Sequence, residues 1–468
     1  SMRYRDTTDY DLELFIRFGS DSLNYYEYRA PIRPGWDPQN ELNIPFSEIT
    51  AIKLGRDSIL ALSARVPAAS GPPGSSYQVR GNPTLTNVRL IVIGVTNPEG
   101  KGAGEVIGEV WVNELRLTEV DDTPGWAYRF DTTVKLADVA TISVNMTQRD
   151  PNFHALEDRF GTRNTDRNWA LSTSIGFERF LPRSWTGTSL SFTYSHVEQI
   201  QNPRYVPGTD IPVGQAAQRT ADIAKDQGES DAEANRIEEG VRLQAQTVNV
   251  AETYSLPNIK FNIPVDHWLV RETVNRLSFA YSYTQTTRRS PTIESFNQWQ
   301  WNSRVGYGLQ FSDKAFVSPF SLFGDFFLFK PWKDAKLYYA PRGLNVSATL
   351  TRAQTLERAR NQTAAKPVVR NFGSSRSLNF SWQLTEGGLL NLGTDYALDI
   401  QSSLLNFETD SLGRQRSFGA ILGDMFGKAK LVDFGATLSY GQTISLNPRL
   451  TIPPIFKLEK ILSATTRY

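Results

Sequence analysis

No cysteine occurs anywhere in the 468 residues, so disulfide scaffolds, thiol nucleophiles and cysteine-ligated metals are excluded. Histidine is almost as scarce. His154, His196 and His267 lie far apart in the chain, without metal-ligand spacing, and this favours structural or surface roles. Neither charge sign is in excess: 50 Lys plus Arg stand against 49 Asp plus Glu, a formal net charge of +1. The basic residues are scattered, and no nucleic-acid partner is expected. An uninterrupted apolar run of about twenty residues is also missing, which argues against transmembrane helices and says nothing against barrel strands. The opening Ser1-Met2-Arg3-Tyr4 leads into charged residues without the apolar core of a signal peptide. The chain contains no local G-x-S-x-G, H-E-x-x-H or phosphate-cradling glycine loop. No chemistry is therefore expected, with no catalytic, cofactor-binding or metal-binding residue assigned and no cofactor.

Aromatic residues and strand-period alternation are what the chain has in quantity. There are 26 Phe, 18 Tyr and 10 Trp, although the mean hydropathy is only -0.38. From Thr133 to Thr147 the even positions read Val134, Leu136, Asp138, Ala140, Ile142, Val144 and Met146, and the odd ones are mainly Thr, Ser and Asn. A period of two sends these sets to opposite faces of a strand, and fifteen such residues cover roughly 50 Å. The same pattern returns. Trp169, Leu171, Thr173, Ile175 and Phe177 alternate with Ala170, Ser172, Ser174, Gly176 and Glu178, and Leu190, Phe192, Tyr194 and His196 alternate with Ser189, Ser191, Thr193 and Ser195. Pro182 and Gly187 suggest a tight reversal between those two, whereas 150–167 reads as a long charged loop. Leu277, Phe279, Tyr281 and Tyr283, then Trp299 to Phe311, then strands starting near Leu344, Leu378, Leu390 and Val432, repeat apolar against small polar residues. Glu386-Gly387-Gly388 reads as a hairpin turn. Such faces suit a barrel around a wet lumen, and also a large soluble β-sandwich or solenoid. The aromatic stretch 315–340, with Phe326, Phe327, Phe329, Trp332, Tyr338 and Tyr339, suits either a membrane interface or an apolar junction core.

Residues 1–125 read differently, as a small antiparallel β-sandwich of jelly-roll type. Leu12, Leu14, Ile16 and Phe18 alternate with Asp11, Glu13, Phe15 and Arg17; 49–54 suggests another strand, and 66–76 a loop. Asn87–Val95 predicts a strand buried on both faces, and Glu105–Leu117 a second, joined by the turn-rich 97–104. Glu109 and Glu114 fall on opposite faces of that second strand, so they do not form a glycosidase pair. Residues 126–468 are read as barrel strands interrupted by a polar insert at 201–245, which is either solvated linker with a short helix over about 220–239 or disorder.

Several long segments carry a family resemblance. GNPTLTNVRLIVIGVTNP at 81–98 with GEVWVNELRLTE at 108–119 resembles the segment preceding barrel strands in the SprA/Sov family. DTTVKLADVATISVNMTQRDPNFHALEDRFG at 131–161, KLYYAPRGLNVSATLTRAQT at 336–355 and RNFGSSRSLNFSWQLTEGGLLNLGTDYALDIQSSLLNFETD at 370–410 are similarly family-like. That family comprises the giant outer-membrane translocons of type IX secretion in Bacteroidota, also linked to gliding motility. The resemblance implies an all-β fold: antiparallel strands forming part of a very large transmembrane β-barrel. It also implies export of folded cargo across the bacterial outer membrane, with loops or modules exposed to periplasm and cell surface. The implied partners are the lipid bilayer, the remaining strands of the full-length barrel, a PorV-like shuttle barrel, a periplasmic plug protein and the exported cargo proteins. Family members are several times longer, so the chain is expected to be an internal fragment. The residue pattern alone leaves two other functions open: a surface adhesin or carbohydrate-binding β protein, and a smaller solute porin.

Overall fold

The computed structural model describes residues 12–55, 63, 65–98, 105–119, 122–158, 161–323, 332–362, 366–388, 390–426 and 432–450. The chain divides into two compact units. One holds residues 1–129, 147–167 and 200–248, the other 130–146, 168–199 and 249–468. In chain order the elements are β1 (Glu13–Asp21), β2 (Asn24–Pro31), α1 (Phe46–Ala51), β3 (Val66–Pro67), β4 (Ser76–Arg80), β5 (Leu90–Thr96), β6 (Ala127–Leu136), β7 (Ala140–Arg149), β8 (Asn164–Gly176) and β9 (Ser189–Pro203). They continue with α2 (Val213–Asp226), α3 (Asp231–Ala245), β10 (Thr247–Lys260), α4 (Trp268–Glu272), β11 (Leu277–Arg289), β12 (Ile293–Gln310), β13 (Phe316–Val317), β14 (Lys336–Tyr338) and β15 (Gly343–Ala359). The last are β16 (Val369–Glu386), β17 (Leu390–Ser403), α5 (Leu405–Glu408), α6 (Phe418–Phe426) and β18 (Ala436–Leu450). The fold is predominantly antiparallel β, as the alternation implies. Among the described residues no helix is long and apolar enough to cross a membrane.

In the first unit, β3-β4-β2-β1-β5 form one five-stranded sheet. Register places Ile16 opposite Tyr28, and Tyr28 opposite Tyr77; one step along, Phe18 faces Tyr26, which faces Val79. These six, with Ala30 of β2 and Ile49 from α1, are the buried core. Where 49–54 reads as a strand, the chain instead makes α1 and a 3-10 turn. Phe46, Ile49 and Ile52 recur at the helical spacing of three, and the Thr50 hydroxyl donates to the Phe46 carbonyl.

The expected sandwich is replaced by this single sheet with a helix against it. Its predicted last strand, Glu105–Leu117, has no ladder partner among the described residues, and Ile107, Trp111, Leu115 and Leu117 are exposed. Alternation alone does not make a strand without a neighbour to take its N–H and C=O groups. β5, expected to be buried on both faces, is an edge strand with Leu90, Ile91 and Val95 exposed.

The insert at 201–245 is largely helical, not linker. Gly228 at φ 93 follows the first helix, and Ser230 caps α3 by accepting from the Glu233 N–H. Ala216, Ala217, Ala221 and Ala224 of α2 and Ala234 of α3 are buried, and small side chains let the two helices pack closely.

The second sheet runs β13-β14-β16-β15-β12-β11-β10-β9-β8-β7-β6, with β17 joined to β16 and β18 to β17. Among the described residues it is open. The alternation over Thr133–Thr147 is a hairpin, not one strand of fifteen. Leu136 ends β6, Ala137 turns at φ 49, and β7 starts at Ala140. The Thr133 and Ser143 hydroxyls lie 3.0 Å apart, so odd positions meet odd ones, and the alternation passes through the turn in phase. The link from β8 to β9 is not a tight reversal, since it holds a 3-10 turn at Phe177–Phe180 and further turns. The hairpin after Glu386 forms as expected, with Gly387 at φ 71.

Candidate functional site

The pairing register sorts side chains from six strands onto two faces. Opposed pairs run Leu277–Tyr307, Tyr307–Val346, Val346–Leu378 and Leu378–Leu398, in one row from β11 to β17. The next row holds Phe279, Val305, Ala348, Arg376, Ile400 and Tyr440. Another opposes Leu344 to Phe380, Phe380 to Tyr396 and Tyr396 to Ile444. The intervening rows belong to the opposite face. They read Ser278, Gly306, Ser347, Ser377, Asp399 and Gly441, then Ala280, Arg304, Thr349, Ser375 and Gln401. One face is thus aliphatic and aromatic, the other Ser, Thr, Gly and Asn with few charges. The apolar face is open: Leu438 is 71% exposed, Ile444 67% and Val305 45%.

At one end of the apolar face lies a belt that the sequence reading did not assemble. The opposed pairs Tyr283–Trp301, Trp301–Arg352 and Arg352–Phe372 cross four strands. Tyr254 continues the belt to β10, its ring 6.4 Å from Tyr283, and Tyr194 to β9 at 5.0 Å from Tyr254. Trp169 and His196 follow with ring centres 4.5 Å apart. The His196 Nδ1 is 3.0 Å from a Glu252 carboxylate oxygen, and the Trp169 indole N–H donates to Glu198 at 2.9 Å. His196 is therefore a belt residue, whereas His154 lies in the β7–β8 connection and His267 precedes α4. The signal in the sequence was Trp and Tyr recurring in successive strands, readable as one row only once register is known. Of the expected aromatic cluster, Phe326, Phe327 and Phe329 lie outside the described residues. Tyr338 is buried with its ring tilted against Phe316 at 5.5 Å, while Tyr339 is exposed.

The connection after β17 folds back over part of this belt. Leu404, Ile421 and Met425 are buried against Trp301 and Phe372, and Phe418 meets Trp301 edge-on at 5.4 Å. Arg352 reaches from the belt to Glu408, Nε to Oε2 at 2.8 Å, with side chains 6% and 1% exposed. Its guanidinium also lies over the rings of Trp299 and Phe372.

Two charged clusters organise the first unit. On the sheet face opposite the tyrosines, Glu27 is held by Arg17 at 2.5 Å, Arg29 at 2.6 Å and Arg65 at 2.9 Å. Burial acts to raise its pKa, but the hydrogen bonds from Arg17, Arg65 and Arg29 outweigh it and hold the carboxyl below its ordinary 4.5. On the core side Lys53 meets Asp210 at 2.7 Å, with side chains 2% and 4% exposed. The Asp210 carboxylate also accepts from the Tyr26 hydroxyl at 2.8 Å and the Leu85 N–H at 2.8 Å. The Lys53 ammonium also donates to the Pro83 carbonyl. Asp210 comes from a stretch that reads as solvated linker. It is instead the anchor of that stretch.

These features define the class first: an antiparallel β protein built around a long sheet with one apolar and one polar face, accompanied by a smaller β unit. Residues 2–216 match the family model SprA_N, a motility related/secretion protein. The match bears out the resemblance of the segments at 81–98, 108–119 and 131–161 and supports a protein of the SprA/Sov family. No curated protein matches it. Among solved structures, LpxR from Salmonella typhimurium is similar over 68% of this chain and 87% of that one, at 9% identity and a TM-score of 0.17.

Proposed function

We propose that the long sheet is a wall segment of a transmembrane β-barrel in the bacterial outer membrane. In this reading the protein is a non-enzymatic component of a channel that exports folded cargo in type IX secretion. The observation that carries the proposal is the register itself, which gives β11, β12, β15, β16, β17 and β18 a shared apolar side and a shared small polar side. Lipid accepts the first and water the second. On β18 the apolar residues from Leu438 to Leu446 cover roughly 27 Å of strand, near the roughly 25 Å apolar band of such barrels. Trp, Tyr and His gathered at one end of that side match the aromatic girdle of a headgroup layer.

An open sheet edge is not tolerated in hydrocarbon, so further strands must complete the ring, and its diameter follows from their number. The secretion family supports export of protein over diffusion of small solutes. A PorV-like barrel, a periplasmic plug protein and the cargo are the partners this reading takes from the family.

The test is placement followed by transport. The chain has no cysteine, so a thiol introduced at Val305 reports the apolar face and one at Thr349 the polar face. In the assembled protein in bilayers, a label at Val305 is quenched by brominated acyl chains and one at Thr349 by aqueous iodide. A label at Val305 quenched only by iodide sinks the wall. Replacing Val305 by Arg costs about 2–4 kcal/mol near a bilayer midplane and blocks insertion, whereas Thr349→Arg inserts. Cells carrying only the Val305→Arg form lose export of cargo. Export that continues unchanged, or a closed channel passing solutes alone, refutes the translocon role.

A further inference from the structure

The helix α6 presents an unusual surface. Its sequence FGAILGDMF contains a single charged residue, Asp424, which is paired to Arg416 at 2.5 Å. One side of the helix is consumed by the sheet, where Ile421 and Met425 are buried against Trp301 and Phe372. The other side is also apolar. Phe426 is 57% exposed, and Leu405 and Leu412, earlier in the same connection, are exposed as well. A helix apolar all round is stable in water only when both sides are covered, and the sheet covers one.

What covers the other side follows from where the helix lies. Ile421 and Met425 share one buried cluster with Trp301 and Phe372, and both of those sheet residues lie on the apolar face. The exposed half of α6 is therefore continuous with the side that carries Val305 and Val346. It sits at the aromatic belt, where that side passes from aliphatic to Trp, Tyr and Arg.

We propose that the α5–α6 segment is an interfacial anchor, binding a lipid surface with Leu405, Leu412 and Phe426 while Arg352–Glu408 locks it to the wall. This rests on the barrel reading above. In a barrel, the anchor fixes the height of the wall in the bilayer at one headgroup layer. Its apolar side chains enter the boundary between headgroups and acyl chains, as interfacial helices do.

The experiment uses single thiols in the full-length protein reconstituted in mixed phosphatidylethanolamine and phosphatidylglycerol bilayers. Labels are placed at Phe426 and Leu412 for the anchor, at Val305 for the wall and at Thr349 for the polar face. Phe426 and Leu412 are both exposed, so their replacement leaves the packed side intact, and an unchanged protease pattern verifies this. The expected result is blue-shifted emission at Phe426 and Leu412, with loss of intensity in brominated lipid comparable to that at Val305, while Thr349 responds only to iodide. If Val305 responds to lipid and Phe426 and Leu412 respond to iodide alone, the anchor is refuted and the wall stands. Shielding of Phe426 and Leu412 from both quenchers means that protein covers the helix, and this too refutes the anchor. If Val305 itself responds only to iodide, the wall fails and the anchor fails with it.

Discussion

Breaking the contact between Lys53 and Asp210 offers the sharpest test of how the first unit is held together. At 2.7 Å, with an effective dielectric of about 20, the gross attraction is on the order of 6 kcal/mol. Desolvation cancels much of it, so the pair as a whole contributes little net stability. Removing one partner is different, because the survivor stays buried and charged, at a cost of about 3–5 kcal/mol. The two truncations are not equivalent. After Lys53→Met, Asp210 keeps the Tyr26 hydroxyl and Leu85 N–H as donors, which places the loss near the low end. After Asp210→Asn, the ammonium loses its anion and keeps the Pro83 carbonyl and the face of Tyr26 at 4.9 Å, so the larger loss is expected here. A loss of about 3 kcal/mol corresponds to roughly 150-fold faster local opening.

Hydrogen exchange at 204–213 and 76–96 in the full-length protein reads that opening directly. The double variant should lose less than the sum of the singles by about 2 kcal/mol or more, since neither charge is then left alone. Single variants that exchange at nearly the parental rate, or losses that simply add, would show that Asp210 is not the anchor of its loop.

Three further outcomes follow from other contacts. Because the folded pKa of Glu27 lies below its ordinary 4.5, its ion pairs contribute fully above that value and are lost as pH falls through the folded pKa; protease resistance of 12–98 should drop on acidification, and Glu27→Gln should flatten that drop. Replacing Arg352 by Met strands Glu408 with Gln415 as a neighbouring donor at 3.2 Å, costing about 3–5 kcal/mol; exchange should rise at 404–426 while the ladder amides of β15 and β16 stay protected. Gly81 has φ +67, and an added Cβ would strike the Leu23 carbonyl and the Asn24 side chain; Gly81→Ala should lose at least about 1 kcal/mol, read as a lower melting temperature of the first sheet, whereas Gly35→Ala, with open space around it, pays only the conformational penalty.

Much of the long sheet was legible because a two-residue period survives wherever one face differs chemically from the other. β11, β15, β16, β17 and β18 each show it without help from neighbours. The same period concealed the turn at Ala137, because a three-residue turn joined two strands in phase and the alternation carried no mark of the reversal. β2 escaped for the opposite reason. Its NYYEYRAP is buried on both sides, Tyr26 and Tyr28 in the core and Glu27 among arginines, so no polar face was present to reveal a period.

The belt and its helical cover show what local pattern cannot encode. Trp301 reads as one aromatic residue in an aromatic-rich strand until register sets it between Tyr283 and Arg352. Arg352 reads as a polar interruption of a strand until Glu408, 56 residues later, returns to meet it. Asp210 and Lys53 are separated by 157 residues, and Asp210 stands in a segment whose composition favours exposure. Burial of a charge is decided by what arrives opposite it, so charged residues at such sites look like surface residues until the topology is known. The apolar helix α6 is the converse case. Its composition demands cover on both sides, the sheet supplies one, and the unmet half is the reason for seeking its partner in the lipid that the rest of that face is proposed to meet.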